Sequence, residues 1–142
     1  MKQVLSVFTL LVLASRVSAF DIEECNWKGK LENVVHPAHK NVRMFYNDQV
    51  AVYYLDYEEP AACSYALAIV LPDVTAEIPM RKCVEISCFS GIDIKNAKSS
   101  YDPIKGLLLT IPYRVYNGGG TDPAKEPVQI RVNLQNASVR VE

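Results

Sequence analysis

Past residue 19 the chain has no apolar run approaching the ~18 residues that a membrane-spanning helix needs, so residues 20–142 contain no such helix. A basic patch is also lacking. The 15 Lys and Arg stand against 16 Asp and Glu without aromatic interleaving, which excludes nucleic acid as a partner. Histidine is scarce. His36 and His39 flank Pro37, and no third or fourth ligand stands at a spacing that would complete a metal site. No Gly-x-Ser-x-Gly elbow is present, and no motif directs either histidine to Ser90, so the chain is expected to be neither an enzyme nor a holder of a cofactor. Linkers, repeats and low-complexity tracts are missing, and Gly118-Gly119-Gly120 marks a loop inside one domain. Amphipathic helical windows are absent between the apolar segments, which rules out a parallel α/β fold.

What is present begins with a leader. Lys2, the apolar run from Val4 to Ala14 and the small-residue end Val17-Ser18-Ala19 read as a secretory signal peptide over 1–19. Cleavage after Ala19 leaves 123 of the 142 residues as a single domain, 20–142. Losing Lys2 and Arg16 takes the 15 basic residues to 13 against 16 acidic ones, so the secreted, extracellular domain is mildly acidic. Asn136-Ala137-Ser138 is the one N-x-[ST] sequon, placing a glycosylation candidate at Asn136 in an expected turn.

The domain reads as strands. Val128-Gln129-Ile130-Arg131-Val132-Asn133-Leu134 alternates apolar and polar residues, and Ser138 to Glu142 repeats the pattern after a turn. Val42 to Tyr46 and Gln49 to Tyr57 flank Asn47-Asp48, a two-residue hairpin signal. Ser64 to Leu71 is apolar on both faces and predicts a central, buried strand ended by Pro72-Asp73. Leu107 to Tyr116 predicts another, with Pro112 at an edge or bulge. Weaker candidates are Lys28 to Val35, Thr75 to Ile78 and Ile92 to Lys95. This density of short strands is the signature of an all-β sandwich or barrel.

An even number of cysteines in a secreted chain predicts two disulfides among Cys25, Cys63, Cys83 and Cys88. If Val84-Glu85-Ile86-Ser87 is a strand, its flanking cysteines lie ~16 Å apart. A disulfide needs Cα atoms ~4.4–6.8 Å apart, and a pairing such as Cys63 with Cys88 follows instead. If the segment is a tight loop, Cys83 pairs with Cys88 and Cys25 with Cys63. Spacing alone leaves both open.

Taken in order, these features resemble the ML lipid-recognition domain family, which includes the Niemann–Pick type C cholesterol-transfer protein and the group 2 mite allergens. Asp21-Ile22-Glu23-Glu24-Cys25 is similar to the family's opening, with Gly29, Val34-Val35 and Pro37 following as its first strand and strand end. Tyr65 to Pro79, Ile111-Pro112 and Pro127 to Leu134 are similar to later family strands. Cys83-x4-Cys88 resembles a loop-closing pair, which implies Cys83–Cys88 with Cys25–Cys63. The chain departs in having no Cys after Cys88, and in His36-Pro37-Ala38-His39 where the family has a small disulfide loop. The resemblance implies an immunoglobulin-like antiparallel β-sandwich holding a lipid or sterol between its sheets. The residues to line such a cavity are Val52, Tyr54, Leu67, Ile69, Leu71, Ile111, Val115, Ile130 and Val132, although the same residues would equally fill a closed core.

Three functional expectations compete, the least favoured being a small secreted enzyme using His36 or His39, and two carry forward. One is a non-enzymatic lipid binder. The alternative is a secreted sandwich without a lipid cavity that acts through its surface, as a toxin, defence protein or hydrolase inhibitor. For that alternative the stretch Tyr53-Tyr54-Leu55-Asp56-Tyr57-Glu58-Glu59-Pro60 combines tyrosines with carboxylates, a composition suited to a basic protein partner.

Overall fold

The computed structural model describes residues 20–26, 30–59 and 62–142. The expected signal peptide, together with Lys28, Gly29 and Pro60, lies outside these. The described chain is all-β, with strands β1 (Asp21–Glu24), β2 (Val42–Phe45), β3 (Val50–Asp56), β4 (Tyr65–Asp73) and β5 (Met80–Phe89) forming one antiparallel sheet in the order β1-β5-β4-β3-β2. After a crossover, β6 (Lys98–Asp102), β7 (Gly106–Ile111), β10 (Val128–Asn133) and β11 (Ser138–Val141) form a second antiparallel sheet in the order β11-β10-β7-β6. Strands β8 (Arg114–Tyr116) and β9 (Thr121–Pro123) make a separate two-stranded ribbon. Three single-turn 3₁₀ segments are the helical elements among the described residues, and no helix there is long and apolar enough to cross a membrane.

Alternation explains how the sheets meet. On β3, Val50 and Val52 point to the opposing sheet, as do Leu67, Ile69 and Leu71 on β4. They pack on Leu107, Leu109 and Ile111 of β7 and on Val128, Ile130 and Val132 of β10. The predicted central strand is central: β4 pairs with β3 on one side and β5 on the other. Its second face is also covered, where Ala66 and Ala68 pack with Leu55 and Val34 in a smaller outer cluster.

Other expectations are corrected. Asn47-Asp48 is part of a four-residue turn, 46–49, because Phe45 pairs with Val50 and Tyr46, Asn47 and Asp48 all adopt positive φ. Leu107 to Tyr116 is broken at Pro112 into β7 and β8, since proline donates nothing to a ladder. The candidate strands Lys28 to Val35, Thr75 to Ile78 and Ile92 to Lys95 are not strands where described; they are 3₁₀ turns, isolated bridges and a hairpin tip.

The pairing of cysteines is also corrected. Val84 to Ser87 lies inside β5, and the bonds are Cys25–Cys83 and Cys63–Cys88. A pairing of Cys83 with Cys88, and with it Cys25–Cys63, fails because five extended steps hold those cysteines ~16 Å apart. Near its end β5 carries a bulge: Ser87 and Cys88 together oppose Ala66 of β4, with Tyr65 facing Phe89 and Leu67 facing Ile86. The extra residue returns Phe89 to the core and leaves Cys88 at φ 75°.

Candidate functional site

The positions expected to line a lipid cavity are mostly closed on one another. Val52, Leu67, Ile69, Leu71, Ile111, Ile130 and Val132 have zero exposure in the seam between the sheets. Tyr54 is half-buried at the seam's edge, its hydroxyl accepting from the Ile92 N–H at 3.4 Å, and burial pushes its phenol up to about 12. Val115 stands apart. It lies on the ribbon strand β8, is 41% exposed, and lines a surface cleft.

Strand register places the turns 46–49, 74–79, 103–105 and 134–137 at one end of the sandwich, with Arg81 donating to the Gln49 carbonyl and Tyr46 stacked on Tyr101 at 4.7 Å. Asn136 belongs to this end, exposed, its side-chain oxygen accepting from Ser138 N–H and Oγ–H. The other end holds the Cys63–Cys88 bond, and there two clefts open on either side of it.

The first cleft, of about 430 Å³, is lined by Asp21, Ile22 and Glu23 of β1, by Tyr57 and Glu59 beyond β3, by Ser87 and by the disulfide. Strand register sets the carboxylates in and behind this lining. Glu23 pairs with Glu85, so both carboxylates face outward from the five-stranded sheet. Glu85 is only 1% exposed and accepts a hydrogen bond from the Tyr57 hydroxyl. Burial, then the Glu85 carboxylate, hold the Tyr57 phenol far above its ordinary value, and Glu23 and Glu59 push the same way. Asp56 shapes the wall by accepting from the Glu58 N–H at 2.8 Å, and this closes a turn at Glu58, whose φ is 55°. Within the stretch from Tyr53 to Glu59, therefore, Tyr57 and Glu59 reach the cleft. Tyr53 packs on the outer cluster and Tyr54 turns to the seam.

The second cleft, of about 320 Å³, is apolar. Phe20, Tyr113, Val115 and Tyr116 line it with Ser90, the stem of Arg114 and the same disulfide. Phe20 stacks on Phe89 at 4.5 Å and meets Tyr113 edge-on at 5.4 Å, an aromatic trio completed by Phe89 and Tyr113 at 5.6 Å. The ribbon is anchored at its root, where Arg114 N–H donates to Gly91 at 2.8 Å and Ala124 N–H to Tyr113 at 2.9 Å. The Arg114 guanidinium is tied to Thr121, and Asn117 accepts from the Gly119 and Gly120 N–H groups to close the glycine turn. The ribbon thus forms a built wall.

His36 and His39 are exposed, His36 just before and His39 within the Ala38–Lys40 3₁₀ turn, and they line neither cleft. Among the described residues no group of three or more His, Cys, Asp or Glu is arranged to hold a metal. Sequence reasoning reached Tyr57 and Glu59 but missed Phe20, Asp21, Glu23, Tyr113 and Tyr116 as site residues. They come from two segments remote in sequence, 20–23 and 113–116, which reach the site only through the β1–β5 pairing and the ribbon. No protein-family model, curated protein or solved structure matches the chain.

Proposed function

We propose that the protein is a secreted β-sandwich that acts through its surface, capturing a partner segment that carries one cationic and one aromatic or large apolar side chain. The observation that carries this reading is the shared wall: an acidic, tyrosine-bearing cleft and an aromatic cleft stand on opposite sides of the Cys63–Cys88 bond. Both lie within or near the ~300–1,000 Å³ range of ligand-binding concavities. Asp21, Glu23 and Glu59 set a negative potential for a lysine or arginine, and the Tyr57 side chain stands beside them in the cleft lining. Phe20, Tyr113 and Tyr116 give an apolar side chain a flat contact, the composition found at the centre of protein interfaces. The roles of toxin, defence protein and hydrolase inhibitor all work by such a surface. A sterol or acyl chain between the sheets, in contrast, would have to part Leu67, Ile69 and Leu71 from Ile111 and Ile130, which are in full mutual burial.

The test is an amide-resolved NMR titration with short amidated peptides bearing one lysine and one phenylalanine. Shifts are expected at 21–23, 57–59, 87–90 and 113–116, and they vanish when glutamate replaces the lysine. The double variant Glu23→Gln, Glu59→Gln weakens binding by about tenfold, consistent with about 0.7 kcal/mol for each partly screened charge contact. Peptide shifts confined to other surfaces, or indifferent to the lysine, would overturn the reading.

A further inference from the structure

We propose that the Cys63–Cys88 disulfide is a redox control point for this end of the molecule: reduction dismantles the wall that both clefts share while the sandwich core stays folded. The consequence for binding rests on the partner-capture reading above; the structural consequence does not.

The first observation is access. Both cysteines are half-buried, and the bond forms part of the lining of each cleft, so a small reductant reaches it from two sides. The second is what the bond holds in place. Cys88 is one of the two residues of the β5 bulge and sits at φ 75°, a left-handed conformation that is unfavourable for a non-glycine residue and persists only where its surroundings impose it. Its partner Cys63 lies beyond the ladder, before β4 begins. Among the described residues, backbone and hydroxyl contacts hold that segment: Tyr57 N–H donates to Ser64 at 2.8 Å, Ser64 Oγ to Glu59, and Ser90 Oγ to Ala62 at 2.9 Å.

The other bond is as open to a reductant, its two cysteines half-buried and lining a surface cleft, but it is embedded differently in the sheet. Cys25 continues the β1–β5 register, its N–H donating to the Cys83 carbonyl at 3.1 Å, and Cys83 pairs with Val70 inside β5. Opening Cys25–Cys83 leaves that ladder in place, whereas opening Cys63–Cys88 frees a left-handed residue and an irregular segment together. The chemistry balances with a dithiol as reductant. One thiolate attacks a sulfur of the bond, and the second thiol of the reductant resolves the mixed disulfide. Two electrons and two protons pass to Cys63 and Cys88 as thiols, and the reductant leaves as a cyclic disulfide.

The experiment is a graded dithiothreitol titration of the native protein at neutral pH, with differential alkylation read by mass spectrometry and amide exchange read in parallel. Cys63 and Cys88 are expected to alkylate while Cys25 and Cys83 remain bonded. Exchange at 62–64 and 87–90 rises about tenfold with β4 and β10 still protected, the scale of one released strained residue. Opening of Cys25–Cys83 first, or of both bonds only as β4 and β10 lose protection, overturns the proposal. The double variant Cys63→Ser, Cys88→Ser is expected to keep the core protected, and its failure to fold counts equally against the proposal. Where the lysine–phenylalanine peptides bind the oxidised protein, the partly reduced form binds them about tenfold more weakly, again the scale of one released constraint. If no peptide binds at all, partner capture fails, and the alkylation order still decides the redox proposal.

Discussion

Gly106 shows how much one residue constrains. It opens β7 at φ +90°, and a Cβ there would come 2.6 Å from the Val132 carbonyl oxygen and 3.1 Å from the Asn133 Cα, both backbone atoms. Neither can move without breaking the β7–β10 register. Gly106→Ala is therefore expected to lower stability by about 2–3 kcal/mol, the sum of a left-handed alanine and a backbone clash. Gly119→Ala is the control, since nothing lies within 4 Å of a Cβ at that position, and urea denaturation should leave its midpoint near that of the parent. Tyr57 carries a second residue-scale prediction. Its hydroxyl donates to a carboxylate that is almost wholly buried, so Tyr57→Phe should cost about 1.5–3 kcal/mol, the scale of one hydrogen bond to a charged group. The phenols of Tyr54 and Tyr57 titrate above the ~10 of a free tyrosine. A raised folded-state value means that the stabilisation is complete below pH ~10 and is lost as pH rises through the folded value, about 12 for Tyr54. A tyrosinate absorbance titration should show these two groups ionising together with loss of near-UV circular dichroism. Ionisation of both in a folded protein would contradict the packing described.

At the scale of elements, the edge strand β11 is pinned by charge as well as by its ladder. The Arg131 guanidinium meets the Glu142 carboxylate at 2.9 and 3.1 Å, and Arg140 reaches the same carboxylate at 3.1 Å. The hydrogen bond from Arg131 holds the Glu142 carboxyl below its ordinary range. A depressed carboxyl stabilises the fold above its unfolded value, and the contribution is lost as pH falls through the folded one. Lowering the pH below the usual carboxylate range should raise amide exchange in β11 before it does so in β4, and Glu142→Gln should remove that acid sensitivity. Which elements were legible follows from the same physics. Val128 to Asn133 and Tyr65 to Leu71 announce themselves because one face, or both, must be apolar to be buried. Strands β1 and β6 do not, since both are edge strands whose residues are nearly all exposed, and nothing selects an apolar alternation there. Strand β5 was half-visible. Its Val84–Ile86 alternation is real, but the bulge shifts the phase between Ile86 and Phe89, and its first three residues are exposed or part-exposed.

For the whole molecule the cysteine map was the least legible feature, because it depends on contacts remote in sequence. Cys25–Cys83 spans 58 residues and Cys63–Cys88 spans 25, and both join segments that only the β1–β5 and β4–β5 pairings bring together. Closing loops of this size stabilises by about 3.5–4 kcal/mol each on chain-entropy grounds. The apolar content had the same ambiguity at this scale: alternating faces state that side chains are buried but not what they are buried against. In the structure Val52, Leu67, Ile69 and Leu71 meet Ile111, Ile130 and Val132 directly. Opening that seam for a sterol would expose apolar surface costing about 25 cal/mol for every Å² before any ligand contact repaid it. The protein purified under native conditions is therefore expected to give a native mass spectrum at the mass of the polypeptide with any covalent glycan at Asn136, and organic extraction should release no stoichiometric lipid. Leu67→Ala, which deletes volume in the middle of the seam, should cost about 2–5 kcal/mol and leave this spectrum unchanged. A fatty acid, phospholipid or sterol released at one per chain, or displaced from the seam by Leu67→Trp, would show instead that the sheets part around a ligand, and partner capture at the disulfide end would yield to lipid carriage.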